Sequence, residues 1–214
     1  MSRGLSLALL LLASGAQASS IDGAGRISIG GGLRWVPNWW LVERAAEAGT
    51  PVVDHLQLGP SGIASFGYGV AAWLELAIDL FVGWEQFSTL QPDGAKNVYS
   101  SLMGAGMVGA RLVGKQLWGP VSPWLTAQGG ALFSSLAGPG IDNGEVLAPA
   151  FAAGGGLDVQ LSDRYGLSFD VRYVYGRNYL EGISGMNVGG VMGTLSFVIF
   201  FPPEPKRELV VPGF

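Results

Sequence analysis

The sequence predicts an all-β chain folded as an eight-stranded antiparallel up-and-down transmembrane β-barrel. Three observations carry that expectation. Runs of about ten residues alternate apolar and polar side chains, and turn-forming clusters separate them. Hydrophobic residues make up 49% of the 214 and charged residues only 13%, about half the usual charged share of ~25%. The connections between runs alternate short and long, as they do when short turns sit at one membrane rim and long loops at the other.

The chain opens "MSRGLSLALLLLASGAQASS". Arg3 supplies a charged leader, Leu5 to Ala13 an apolar run, and Ala16-Gln17-Ala18 a small-residue cleavage pattern. Residues 1–18 therefore read as a signal peptide, since the apolar run falls short of the ~20 residues that a spanning helix needs. Residues 19–201 read as the barrel and 202–214 as a short periplasmic tail. With no cysteine in the chain, neither a disulfide nor a thiolate metal site is expected. The formal charge of -4 lacks the basic face that phosphate binding requires, so nucleic acid is not an expected partner.

The first run, "RISIGGGLRW", sets Ile27, Ile29, Leu33 and Trp35 against Arg26, Ser28 and Arg34. The second, "IASFGYGVAAWLEL", sets Phe66, Tyr68, Val70, Leu74 and Leu76 against Ser65, Gly67, Gly69 and Glu75. In the third, "IDLFVGWEQF", Ile78, Leu80, Val82 and Trp84 oppose Asp79, Gly83 and Glu85. A weaker fourth run, Ser100 to Val113, has Leu102, Val108 and Leu112 opposite Arg111. The fifth, "VSPWLTAQGGALF", places Val121, Leu125, Ala127 and Phe133 opposite Ser122, Thr126 and Gln128. The sixth, "FAAGGGLDVQL", opposes Phe151, Leu157, Val159 and Leu161 to Asp158 and Gln160. The seventh, "LSFDVRYVYG", opposes Leu167, Phe169, Val171, Tyr173 and Tyr175 to Ser168, Asp170 and Arg172. The eighth, "VMGTLSFVIFF", opposes Val191, Leu195, Phe197, Ile199 and Phe201 to Thr194 and Ser196.

Short links are expected at Ala77, at "GKQLWGP" and at "SDRY", and long loops at Pro37 to Gly62, Ser88 to Tyr99, Ala137 to Ala150 and Arg177 to Asn187. Within the first long loop, "NWWLVERAAEAG" has the pattern of a short amphipathic helix.

Three stretches carry a resemblance: "GPVSPWLTAQGGALF" from Gly119, "GGGLDVQLSDRYGLSFDVRYVYG" from Gly154 and "GGVMGTLSFVIFF" from Gly189. They resemble the eight-stranded outer-membrane β-barrel superfamily that includes the OmpA-like transmembrane domain. The resemblance implies residence in the outer membrane of a Gram-negative bacterium, with outer-membrane lipid, lipopolysaccharide and the outer-membrane assembly machinery as partners. It also implies a surface ligand at the long loops. In that family the last strand usually ends the chain with an aromatic residue read during assembly. Here "PPEPKRELVVPGF" comes after Phe201, so the signal is either internal or supplied by Phe214. The tail is too short for a peptidoglycan-binding domain, so a cell-wall anchor is not expected.

In a closed small barrel the apolar parity faces lipid and the other parity faces the lumen. Arg26, Arg34, Glu75, Asp79, Glu85, Arg111, Asp158, Asp170 and Arg172 all fall on the lumen parity. Both signs are present, so a lumen network of paired charges is the expected site, favoured over acid/base chemistry by two such carboxylates. The reading is a non-enzymatic barrel with a structural or surface-interaction role; a narrow, porin-like channel for ions or small solutes is the first alternative.

The remaining motifs are weaker. "GAGMVG", Gly104 to Gly109, matches a dinucleotide fingerprint, but no Asp or Glu lies between Ala105 and Ile141 to hold a ribose. "GARLVGKQ", Gly109 to Gln116, places a glutamine where a phosphate loop needs a hydroxyl. No cofactor and no metal is expected, His55 being the single histidine. The second alternative is a lipid A-modifying, acyltransferase-like barrel in which His55 meets Ser88 and Asp93; the adjacent Asp-Ser pair of that family is missing from "STLQPDG". Trp35, Trp39, Trp40, Trp84, Trp118, Trp124, Tyr173 and Tyr175 read as an interfacial aromatic girdle rather than a ligand-stacking surface.

Overall fold

The computed structural model describes residues 21–36, 46, 49–55, 58–114, 120–139, 141–176 and 189–201. The leader, the helix expected in "NWWLVERAAEAG" apart from isolated positions, the loop at Arg177 to Asn187 and the tail lie outside the described residues.

Among the described residues nine strands run in order: β1 (Gly25–Trp35), β2 (Val52–His55), β3 (Leu58–Ala71), β4 (Leu74–Leu90), β5 (Lys96–Val113), β6 (Val121–Gly138), β7 (Ile141–Gln160), β8 (Tyr165–Gly176) and β9 (Gly190–Phe201). All pairings are antiparallel, β1 joins β9, and β4 joins β5, so eight strands close a ring. The ninth, β2, pairs with β4 at its outer end. It runs alongside β4 in the same sense as β3. It therefore extends β3 outward.

The hydrogen-bond register fixes the shape. From Gly25 the partners run through Tyr68, Leu76, Ala110, Ala127, Ala153, Tyr173 and Val191 and return to β1 at Trp35, ten residues along. Eight strands with that stagger tilt about 40° from the barrel axis and set the backbone wall roughly 8 Å from it. A lumen of that radius is filled by side chains.

The outer face is apolar in a band. On β4, Leu76, Ile78, Leu80, Val82 and Trp84 all face outward and are exposed. From Leu76 to Trp84 the strand climbs roughly 20 Å along the axis, close to the height of a membrane belt. Tyr68, Trp73 and Tyr165 stand near the turn end, and Trp35, Trp84 and Tyr175 near the other, so aromatic residues rim the belt on both sides. Above Trp84, Leu102, Phe133 and Leu147 the next outward positions are Gln86, Ser100, Ser135 and Glu145. The belt ends there, although the strands continue.

Three of the expected loops are corrected: Pro37 to Gly62 already contains β2 and the first residues of β3, and the continued strands take up two more. Ser88 to Tyr99 is a hairpin whose ladder runs to Leu90 and Lys96, closed by a turn in which Asp93 Oδ1 accepts from the Ala95 amide at 2.9 Å and Gly94 takes a φ of +84°. Ala137 to Ala150 is likewise mostly strand, with β6 and β7 paired out to Gly138 and Ile141. Outside lipid, the outward face has no need of apolar side chains, so the alternation fades while the backbone ladder persists. A fourth correction concerns Ala77, which lies within β4. The link between β3 and β4 is Ala72-Trp73, and Leu74, Glu75 and Leu76 belong to β4.

Inward glycines make room for large neighbours. Gly156 pairs with Asp170 on β8, and a Cβ there would meet the Phe169 carbonyl oxygen and lie 2.6 Å from the Trp124 ring. Gly156→Leu is expected to prevent closure at this seam, read as loss of the heat-shifted folded band on a gel. An unchanged folded fraction would show that the neighbouring wall can give way.

Candidate functional site: the barrel lumen

The nine charged residues of the lumen parity are all buried. Because β3, β4, β5, β6, β7 and β8 each contribute alternate side chains to one narrow interior, residues far apart in sequence meet. Asp79 of β4, fully buried, is the centre. It accepts from Arg172 of β8, from the Ser65 hydroxyl of β3 and from Gln128 Nε2 of β6 at 2.8 Å, and Arg111 Nη2 of β5 stands 3.8 Å away. Arg172 also grips Asp170, two residues earlier on the same strand, with Nε 2.6 Å and Nη2 2.5 Å from Oδ2. Its Nη1 donates to Gln128 Oε1 at 3.2 Å. One guanidinium thus bridges two carboxylates, the fork geometry suiting arginine rather than lysine.

Toward the turn end, Arg111 Nη1 donates to Glu75 Oε1 at 2.7 Å, and Arg26 Nη1 to Asp158 Oδ2 at 2.6 Å. Trp124 belongs here and not to the girdle. It is 2% exposed, its indole N–H donates to Asp158 Oδ1 at 3.1 Å, and the Arg111 guanidinium lies over its ring at 4.5 Å. Its even number gives it the parity of Thr126 and Gln128, the signal that places it in the lumen. Nearer the loop end, Arg34 Nη2 meets Glu85 Oε2 at 3.3 Å, with its stem against Gly83.

Beyond the central charges the lumen turns apolar. Phe81 follows Asp79 on β4, Met107 and Met103 follow Arg111 on β5, Leu132 follows Gln128 on β6, Val174 follows Arg172 on β8, and Met192 adjoins Thr194 on β9. With Ile63 and small alanines of β7 they form one buried cluster. Polarity-based reading of the inward parity passes over this collar, because lipid-facing and lumen-filling apolar side chains differ only in parity. Outside it, Phe87 stacks on Tyr99 at 5.2 Å between ring centroids.

The residues weighed for catalysis lie in the outer extension. His55 pairs through its backbone with Phe87, and Asp54 with Ser88, whereas Asp93 sits in the turn beyond with its carboxylate on the Ala95 amide. The His55 side chain lies outside the described residues. Among the described residues no group of three or more His, Cys, Asp and Glu side chains is placed to hold a metal ion. The glycines of "GAGMVG" and the first five residues of "GARLVGKQ" lie on β5, in a strand and not at a helix N-terminus.

The closed ring, the shear and the belt define an eight-stranded antiparallel β-barrel of the transmembrane type. The outer membrane protein OprG of Pseudomonas aeruginosa has a similar structure, with a TM-score of 0.51 at 13% identity over 85% of this chain and 98% of that one. Ail of Yersinia pestis, in complex with the heparin analogue sucrose octasulfate, gives 0.49 at 14% over 84% and 99%. The N-terminal β-barrel domain of Pseudomonas aeruginosa OprF gives 0.48 at 13% over 84% and 98%. The likeness to OprG is one of fold. No protein-family model matches the sequence, and no curated protein matches it.

Proposed function

We propose that this chain is a non-enzymatic outer-membrane barrel, closed through its lumen, whose role is structural or lies in surface interaction. The observation that supports this is the continuity of the filling: Asp79, Met103, Met107, Leu132, Val174 and Arg172 are at most 2% exposed and come from four strands. Charged pairs and an apolar collar occupy successive levels, and water that crossed would have to break both. The outer ends of β4, β5, β6 and β7, carried beyond the belt, offer a stiff surface for a ligand at the cell exterior.

The exposed Lys96–Asp54 pair, 2.7 Å apart, links the outer ends of β5 and β2 across β4; exposed pairs contribute little stability. The assembly machinery, lipid and lipopolysaccharide are the partners that this reading requires. Liposomes carrying the refolded protein are expected to retain a small sugar and potassium as well as protein-free liposomes do. Release that scales with protein content would favour the channel. A change of lipid A acyl-chain mass on expression, lost in His55→Ala, would replace the reading with an enzymatic one.

A further inference from the structure

At the turn end the lumen widens into a cup of about 210 Å³. Its wall runs round the barrel. Phe200 of β9 pairs with Arg26 of β1, Ser122 of β6 lies across from Asp158 of β7 with Gln160 two residues further on the same face, and Val113 ends β5. The stretch ahead of β1 closes the remaining side. The Gly23 amide donates to the Gly69 carbonyl at 2.9 Å and the Gly69 amide to the Ala24 carbonyl at 2.8 Å, which holds Ile21 against β3.

The floor of the cup carries no net charge. Arg26 is paired with Asp158 at 2.6 Å and Arg111 with Glu75 at 2.7 Å, so an ion that entered would have to break a pair or lie unmatched beside one. Above the floor, Ser122 and Gln160 are part-buried and present a hydroxyl and an amide, each of which donates and accepts. The rest of the wall is largely apolar, with Ile21, Val113, Pro120 and Phe200. A mainly apolar cavity with a few convergent polar groups is the form that small-molecule sites take. Since a cavity of ~150 Å³ holds benzene, about 210 Å³ has room for roughly eight or nine non-hydrogen atoms.

We propose that this cup binds a small uncharged molecule with an apolar body and one neutral group that both donates and accepts, an amide or a hydroxyl. The polar group meets Ser122 and Gln160, and the body lies against Val113 and Phe200. Occupancy does not depend on whether the lumen conducts. Benzamide, benzoate and ethylbenzene, alike in size and different in polar group, are the probes. The chain has no cysteine, so a trifluoromethyl label on Asp163→Cys, at the exposed rim of the cup, reports on this place alone, and one on Lys96→Cys reports on the far end of the barrel. With the refolded protein in lipid nanodiscs, benzamide is expected to move the fluorine resonance of the rim label saturably and to leave the far label in place, and benzoate to bind at least about tenfold more weakly. Ser122→Ala with Gln160→Leu is expected to weaken benzamide about tenfold without changing ethylbenzene. Val113→Trp, or Ala24→Phe outside the strands, fills the cup and is expected to abolish the shift with both, the gel mobility of the folded band staying unchanged. No saturable shift at the rim label, a shift that survives both filling variants, or equal shifts at the two labels, as partition into lipid gives, would overturn the proposal. So would a benzamide affinity indifferent to the loss of Ser122 and Gln160, since the cup would then select no polar group.

Discussion

Asp79→Ala is expected to destabilise the folded barrel by about 3–5 kcal/mol, the usual effect of leaving a buried charge without its partner. Asp79 is the one carboxylate that Arg172, Arg111, Gln128 and Ser65 all face. Without it, Arg172 keeps Asp170 and the Gln128 side-chain carbonyl oxygen, and Arg111 keeps Glu75. Removing Arg172 as well, as in Asp79→Ala with Arg172→Met, is expected to cost less than the two single changes added together, by about 0.5–3 kcal/mol. Denaturant unfolding in vesicles, followed by the heat-shifted band, measures all three. Strict additivity would mean that the two side chains do not share a network.

The second large effect belongs to the outer face. Leu80→Arg, near mid-belt, is expected to lose about 2–4 kcal/mol, while Gln86→Arg, three outward positions further along β4, loses about 0–1 kcal/mol. The contrast tests where the bilayer ends. Equal losses at both positions would put Gln86 inside the hydrocarbon and move the belt toward the outer hairpins.

How far the residues alone lead can be seen strand by strand. Parity separates Asp170 and Arg172 from Phe169, Val171 and Tyr173 without any knowledge of neighbours, because side chains on a strand alternate without exception until a bulge. Parity is blind to turns that preserve it. Ala71 pairs with Leu74 across Ala72-Trp73, so the even-numbered apolar series runs through the turn from Tyr68 to Ile78 with no break, and no glycine, asparagine or proline lies between Val70 and Ile78 to mark one. The outer hairpins were hidden for the opposite reason: Ser100, Ser135 and Glu145 face water outward, and a ladder between two polar surfaces has no pattern. Partner choice within the lumen was not legible either. That Arg172 reaches Asp79, ninety-three residues away, depends on the ring closing with a stagger of ten, which emerges only from the pairing of all eight strands.

The closed lumen is the central claim, and single-channel recording of the refolded protein in planar bilayers tests it most directly. The wild type, Asp170→Asn and Arg172→Gln are all expected to stay silent, because Met103, Met107, Leu132 and Val174 still fill the lumen beyond the altered charges. Discrete, protein-dependent current steps in the wild type would contradict the account, and a step size altered by either substitution would make those charges the lining of an ion path.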